Sequence, residues 1–556
     1  DIGAGYNITD RINIGGGGDY SNEAARNRYI YQYTAATNPM TDFRQWWPTN
    51  VDIKSLKNDY FNSLTNATWN WQDDGSYQNN TLGSIGLPAY HDNLYWFAYQ
   101  NYEGDSRNRY TSHANVNYKI TDFLNLSGGV SNDYYNFLIE QRNNVASQAT
   151  SFYDRQNIGY SETNYHALLN FNKNFGQNFN VKALVGGNVA KDEITSIFAS
   201  TNGGLLLPSF WSISNSKNNP ASPTESDERK EVNSLFAGAT LSYKDMITLD
   251  GTIRRDQSST LPSANNTYYY PSVSANYVFS KMLPSTENWL SYGKIWVNYA
   301  QVGGDAPYYS TNNTYSINTP INGQALMSAS ATNNNQNLIP ATNKTYEAGL
   351  EMSFLHDRLG FSADYYHSIQ SNEILPISVS TSTGYNTFYV NGGSVQNQGV
   401  ELTANITPVK IRNFRWDMNI NWTKNVNKVL SLYGGQPSYV IAGLQNSIQI
   451  VAEVGKSYGI IRGTTYQMLD GQREISAGGN YMTAPNPLSD IGSIQPKWFG
   501  GINNTFTYKN FSLSFLIDVH QGGSVYSLDM DYVSFSGLYP RTAGYNDLGK
   551  HVRAPL

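Results

Sequence analysis

Tight turns and long polar stretches alternate along this chain, and that asymmetry limits its fold more than any other feature. Short turns fall at Thr9-Asp10, Thr121-Asp122, Lys173 to Asn178, Lys244-Asp245, Ser280 to Asn288, His356-Asp357, Pro408 to Asn413 and Lys509-Asn510. Each is flanked by residues that alternate apolar and polar, the period of a β-strand. Eight hairpins imply roughly 16 strands, joined at the other end by seven loops of tens of residues rich in Asn, Ser, Gly and Tyr. Compact soluble domains seldom carry several loops beyond about 15 residues. Outer-membrane barrels put short turns on the inner side and long loops outside.

The alternation is strict where it is clearest. Val400, Leu402, Ala404 and Ile406 share a face opposite Glu401, Thr403, Asn405 and Thr407. Leu513, Phe515, Ile517 and Val519 lie opposite Ser512, Ser514 and Asp518, and Ile247, Leu249, Gly251 and Ile253 lie opposite Thr248, Asp250, Thr252 and Arg254. In a barrel, the set Val400, Leu402, Ala404, Ile406, Leu513, Phe515 and Ile517 faces lipid, and Glu401, Thr403, Asn405, Ser512 and Asp518 face the lumen. Trp416 and Trp422 bracket Met418 and Ile420 on one face, about 20 Å apart at ~3.3 Å per residue. That spacing suits aromatic girdles at two membrane interfaces. A large soluble all-β protein, such as a sandwich array or an adhesin, also gives alternation. A propeller would repeat every 40–50 residues or so, and the hairpin spacing here is irregular.

Composition agrees with a barrel. Only 14% of the 556 residues are charged and 14% are aromatic, with 43 Tyr and a net charge of −6; a soluble domain carries about 25% charge. The aromatic load and small net charge exclude disorder. No apolar run reaches the ~18 residues of a membrane helix, although a barrel strand needs only about 10 alternating residues. The mild acidic balance argues against nucleic acid. With no Cys, disulfide frameworks and thiolate metal sites are excluded. Opening at Asp1, the chain shows no export signal; its first residues read as strand and Arg553 to Leu556 as loop. It is expected to be an internal segment of a longer protein.

Catalytic signals are poor, and neither enzyme activity nor a cofactor is expected. The seven His (91, 113, 166, 356, 367, 520 and 551) show no metal-ligand spacing, and no P-loop or nucleophile elbow occurs. The run Gly15 to Gly18 continues a strand from Ile12 and Ile14, so it marks a place where bulk is excluded rather than a phosphate cradle. The first loop, residues 20–109, is the informative one. It holds Trp46, Trp47, Trp69, Trp71 and Trp96 and a helical stretch from Val51 to Leu64. Rings on a long surface loop can stack on sugars or peptide side chains, or they can form the loop's own small core or pack on a partner protein. These five tryptophans are the candidate substrate or partner contacts.

Several segments resemble the SusC/RagA family of TonB-linked outer-membrane proteins. The most specific is Asn486-Pro487-Leu488-Ser489-Asp490-Ile491-Gly492, then Gln495-Pro496-Lys497-Trp498-Phe499-Gly500-Gly501-Ile502-Asn503-Asn504-Thr505-Phe506, and on through Tyr508-Lys509-Asn510-Phe511 to Tyr526. Further likeness lies in Arg254 to Ser259 with Tyr270 to Ser274, Lys344 to Glu351 with Asp357 to Leu359, Asn391 to Leu402, Ser457 to Gly463, and Phe43 to Trp47 with Tyr102 to Arg109.

The resemblance implies an all-β, antiparallel transmembrane barrel of 22 strands. About 16 of these, the fourth to the nineteenth, would lie in residues 1–556. A plug domain and a TonB box normally precede them. It also implies a SusD-like lipoprotein as an extracellular lid, energy from the TonB-ExbB-ExbD complex acting through the plug, and integral residence in the outer-membrane lipid of a Gram-negative bacterium. The expected function is active import of a large nutrient, an oligosaccharide or a peptide. The alternatives are a surface adhesin, a scaffold barrel or a passive porin.

Overall fold

The computed structural model describes residues 1–28, 38–70, 88–283, 289–444, 447–484, 488–545 and 549–552. Trp71, part of the turn from Ser280 to Asn288, Asn486-Pro487 and Arg553 to Leu556 lie outside the described residues.

One antiparallel sheet of 16 strands dominates. In chain order, which is also spatial order, the strands are β1 (Ile2–Asn7), β2 (Ile12–Arg28), β3 (Glu103–Lys119), β4 (Leu124–Asn143), β5 (Phe152–Phe175), β6 (Phe179–Ser200), β7 (Thr224–Tyr243) and β8 (Ile247–Ser258). They continue as β9 (Thr267–Tyr277), β10 (Leu290–Gly304), β11 (Ala341–Phe354), β12 (Leu359–Ser371), β13 (Ser394–Ile411), β14 (Phe414–Ser431), β15 (Pro496–Tyr508) and β16 (Phe511–Gly522). Strictly sequential pairing places all eight short turns at one rim and all seven other connections at the opposite rim, as the sequence implies.

The turns are tight because their residues accept left-handed backbone. Lys244 and Asp245 between β7 and β8 have φ of 51° and 50°, and His356 and Asp357 between β11 and β12 have 56° and 61°. Such primed turns match the right-handed twist of the flanking strands. The glycine run forms part of β2, where a Cβ on Gly17 would stand 2.9 Å from the Ile2 carbonyl oxygen and 3.1 Å from the His113 ring.

Two connections correct the expectation of uniformly long loops: residues 144–151 and 259–266 are short bridges. Around 144–151 the strands themselves supply the reach, because β4, β5 and β6 run to 20, 24 and 22 residues. Roughly 10 residues cross the hydrocarbon, so these strands continue well beyond it.

Register sorts the two faces of the sheet. Phe361, Ala404, Ile420, Ile502 and Ile517 are successive cross-strand partners through β12–β16. One residue along, Ser362, Thr403, Asn421, Gly501 and Asp518 form the next row and face the other way. The apolar face is not packed into a protein core: Leu402 is 40% exposed and Leu513 64%. An exposed apolar row this long is a lipid-contacting surface rather than a soluble one. Asn504 is a polar intruder on that face, and it accepts a hydrogen bond from Trp416 Nε1 at 3.2 Å.

Aromatic rings mark both edges of the apolar band. Near the turns, Phe179 pairs with Tyr243 at 4.9 Å, Trp289 with Phe354 at 5.7 Å and Trp416 with Phe506 at 5.4 Å. Toward the loops, Tyr20 meets Tyr110 at 4.9 Å and Tyr299 meets Tyr346 at 4.9 Å. On β11, Tyr346 and Phe354 are separated by about 26 Å at ~3.3 Å per residue, close to the ~25 Å band of outer-membrane barrels.

Among the described residues β1 and β16 each have a single neighbour and do not pair with each other. Both edge strands are exposed along their whole length. The packed cores sit at the loop rim instead, as with Leu56, Tyr60, Trp96 and Phe97 in the first loop and Leu261, Ala306 and Leu338 in a second cluster.

Candidate functional site

The first loop folds as a small unit of its own. Helix α1 (Ile53–Ser63) begins at Asp52, whose carboxylate accepts from Lys54 N at 2.9 Å, and ends at Leu64 in the left-handed region. It matches the helical stretch read at Val51 to Leu64. Its buried residues, Leu56 and Tyr60, are one turn apart and meet helix α2 (Leu94–Gln100), where Tyr60 lies 5.7 Å from the stacked ring of Tyr99.

Buried asparagines replace sheet hydrogen bonds in this loop. Asn93 caps α2 through Tyr95 N at 2.8 Å and donates to the Leu56 and Ala67 carbonyls at 2.9 and 2.7 Å. Asn70 accepts from both Tyr90 N and His91 N at 2.8 Å. Backbone that lacks a ladder is thereby satisfied, as burial demands.

Charge is buried here too. Asp92 accepts from Asn66 at 2.8 Å, Asn101 at 2.9 Å and Gln148 N at 2.7 Å, yet burial still pushes its carboxyl up to about 6. Asp42 is 3% exposed, and burial together with the nearby Asp92 charge raises it to about 7. Burial lowers His91 to about 4.

The candidate tryptophans divide by environment. Trp96 is 6% exposed and donates to Ser147 Oγ at 2.9 Å, so it builds the loop core instead of facing outward. Trp69 is half-buried and stacks on His91 at 6.2 Å. Trp46 and Trp47 are half-buried on a helical turn, with Phe43 beside Trp47 at 6.0 Å. Trp46 packs 5.1 Å from Tyr532 and 6.4 Å from Phe535 on helix α3 (Leu528–Ser536), which follows β16. Gln45 donates to Asp529 Oδ1 at 2.7 Å at the same junction. This junction was invisible in the sequence, since nothing local signals a contact between positions so far apart.

The polar face of the wall carries a concentration of acids. Asp364 and Glu401 are directly opposed on β12 and β13, and Glu347 and Glu351 lie on the same face of β11. Like charges in cross-strand register repel. The nearest cation is Lys294, the cross-strand partner of Glu351. Asn298 donates to Glu347 at 2.7 Å. Among the described residues no group of His, Cys, Asp or Glu is arranged to hold a metal ion.

Comparison with known proteins follows from this geometry. Residues 59–549 match the family described as TonB dependent receptor-like, beta-barrel. TonB-dependent receptor P26 of Formosa agariphila is 26% identical over 393 residues, covering 66% of this chain and 40% of the relative. TonB-dependent receptor SusC of Bacteroides thetaiotaomicron is 25% identical over 361 residues, covering 59% of this chain and 35% of the relative. The RagAB peptide importer in its closed-closed state superposes with a TM-score of 0.74 at 16% identity, covering 99% of this chain and 60% of that one. The chain thus spans 40% or less of the two receptors and 60% of the RagAB chain, whose fold it shares. It is an all-β outer-membrane wall, and it belongs to the TonB-dependent receptor β-barrel family.

Proposed function

We propose that this chain forms most of the barrel wall of a TonB-dependent importer for a large nutrient, an oligosaccharide or a peptide, working beneath a SusD-like lid. The observation that carries the reading is the division of labour in the wall. An apolar face meets lipid, a polar face lines a lumen, and among the described residues a folded canopy rises at one rim.

The two edges, β1 and β16, which have no second neighbour among the described residues, support a wall completed by further strands. Backbone N–H and C=O groups left unpaired in hydrocarbon each cost several kcal/mol or so. The opposed acids Asp364 and Glu401 support a lumen occupied by a cationic surface, the role of a plug through which TonB acts. A lid is supported by the hairpin of Tyr315–Ile321 and Gln324–Ala329, turned by Asn322 and Gly323 in left-handed backbone. Tyr315, Ile317 and Met327 lie together on one of its faces and are all more than half exposed. A lone hairpin is marginal in water, so a protein seated on that face stabilises it. Trp46, Trp47 and Trp69 remain the loop's proposed ligand or lid contacts.

Uptake tests the reading. Cells carrying the intact gene should accumulate labelled oligopeptide or oligosaccharide only when TonB is present. Equal uptake without TonB supports a porin, and no uptake of either class with TonB and the lid present supports a scaffold.

A further inference from the structure

Two small sheets crown the loop rim on one side of the molecule. Thr332–Asn333, Thr387–Asn391 and Ile374–Ser378 form one, with Ile374–Ser378 at its edge. Ser438–Gly443, Gln449–Glu453, Ile460–Gly463 and Ser489–Ser493 form the other, with Ser438–Gly443 at its edge. The two edge strands flank a cavity of about 260 Å³. Its walls are Leu375, Ile377, Ile441 and Ala452, and the rings of Tyr433, Tyr439 and Tyr458 frame it.

Local backbone features build this space. Between Val440 and Ala442 the register slips, so Ile441 is an extra residue on its strand, and a bulge of that kind re-aims a side chain. Ile441 lines the cavity as a result. Gly434 and Gly435, at φ of 65° and 70°, make the turn that brings Tyr433 to the same wall. Gly393, also lining it, leaves no room for a Cβ against the Ser431 carbonyl. The Tyr439 hydroxyl donates to the Pro376 carbonyl at 3.4 Å and spans the gap between the two edges.

Both edges are poor templates for an added strand. Pro376 lacks an N–H and the partner edge is bulged, the two devices that blunt strand addition. A ligand is therefore held through a side chain. Ser378, Gln436 and the tyrosine hydroxyls are the polar side-chain groups of the lining, and the surface it presents is mostly apolar, which favours an apolar side chain over a sugar. The volume lies just below the ~300 Å³ floor of drug-sized pockets, which suits one bulky apolar side chain.

We propose that the cleft between Ile374–Ser378 and Ser438–Gly443 is a specificity pocket for a bulky apolar side chain of an oligopeptide cargo. This rests on the import reading only in taking the peptide as cargo. The test uses full-length protein in detergent without lid or TonB. The probes are a fluorescein-labelled Gly/Ser peptide with one central leucine, the same peptide with serine there, and a linear maltooligosaccharide.

The leucine peptide should bind about tenfold or more tighter than the serine peptide, which is ~1.4 kcal/mol. Ser378→Trp, at an exposed lip of the cleft, should abolish the difference by filling it, and Ile441→Ser by removing its apolar wall. Equal binding of the two peptides overturns the proposal, and so does leucine selectivity that survives both substitutions. So does maltooligosaccharide binding that Ser378→Trp abolishes. Ser378 is exposed, so its variant reports even if Ile441→Ser fails to fold. Because this assay omits TonB, a failure of uptake with leucine selectivity intact counts against import alone.

Discussion

Gln45 donates its amide to Asp529 Oδ1 at 2.7 Å, joining positions 484 residues apart. Ser536 Oγ donates to the Gln45 carbonyl at 2.9 Å, and Arg44 stands 3.8 Å from the same aspartate. The loop after β2 is thereby tied to the segment after β16. This contact links the two ends of the sheet on the loop side, although β1 and β16 do not pair among the described residues.

Breaking that tie should loosen the canopy and leave the wall intact. Gln45 is almost fully buried, and truncating it leaves partners unsatisfied at a cost of about 1–3 kcal/mol. Gln45→Ala should speed amide exchange in residues 38–63 and 528–536 by tenfold or more, with β11–β15 unchanged. Uniform change across both regions would mean that the contact is not a local clasp.

The strands and turns of this fold were legible because alternation at Val400 to Thr407 and the tight turn at Lys244-Asp245 are local signals. The loop interior was not. Nothing in the sequence around Asp42 and Asp92 signals burial, and only the folded loop removes them from water. Trp96 and Trp47 look alike in sequence, but α2 carries the first into the loop core. The cleft at Ile441 depends on a one-residue register slip that no pattern in the sequence marks.

Acidity should steady the first loop. Asp42 and Asp92 are raised to about 7 and about 6, so folding takes up protons and the loop loses stability as pH rises from about 4 to 7. His91, lowered to about 4, acts oppositely between about 4 and 6.5. Two raised acids outweigh one lowered base below about 6, and Asp42 acts alone near 7. Amide exchange in residues 38–63, corrected for intrinsic rates, should show easier opening at pH 8 than at pH 5.5. Asp42→Asn should flatten the segment from pH 6 to 7.5. A loop equally stable at both pH values would contradict the burial of these carboxyls.

Lipid and lumen faces should differ sharply in tolerance. Leu402→Arg places a charge in hydrocarbon and should destabilise the barrel by about 2–4 kcal/mol in vesicles. Thr403→Arg, one residue along on the lumen face, should cost under about 1 kcal/mol. Urea titration of the two variants decides, and equal penalties would reverse the assignment of faces.

The exposed hairpin should anchor the lid. Ile317→Ser combined with Met327→Ser should leave folding unchanged and reduce co-purification of the SusD-like lipoprotein by tenfold or more. Unchanged recovery would place the lid contact elsewhere on the canopy.

Single-channel conductance tests the central claim most directly, since a wall with a wet lumen must be stoppered if it belongs to an importer. Full-length protein in planar bilayers should conduct little without TonB, and protein lacking the plug should pass large, steady currents. Large steady conductance from the intact protein would contradict import and make this wall a porin.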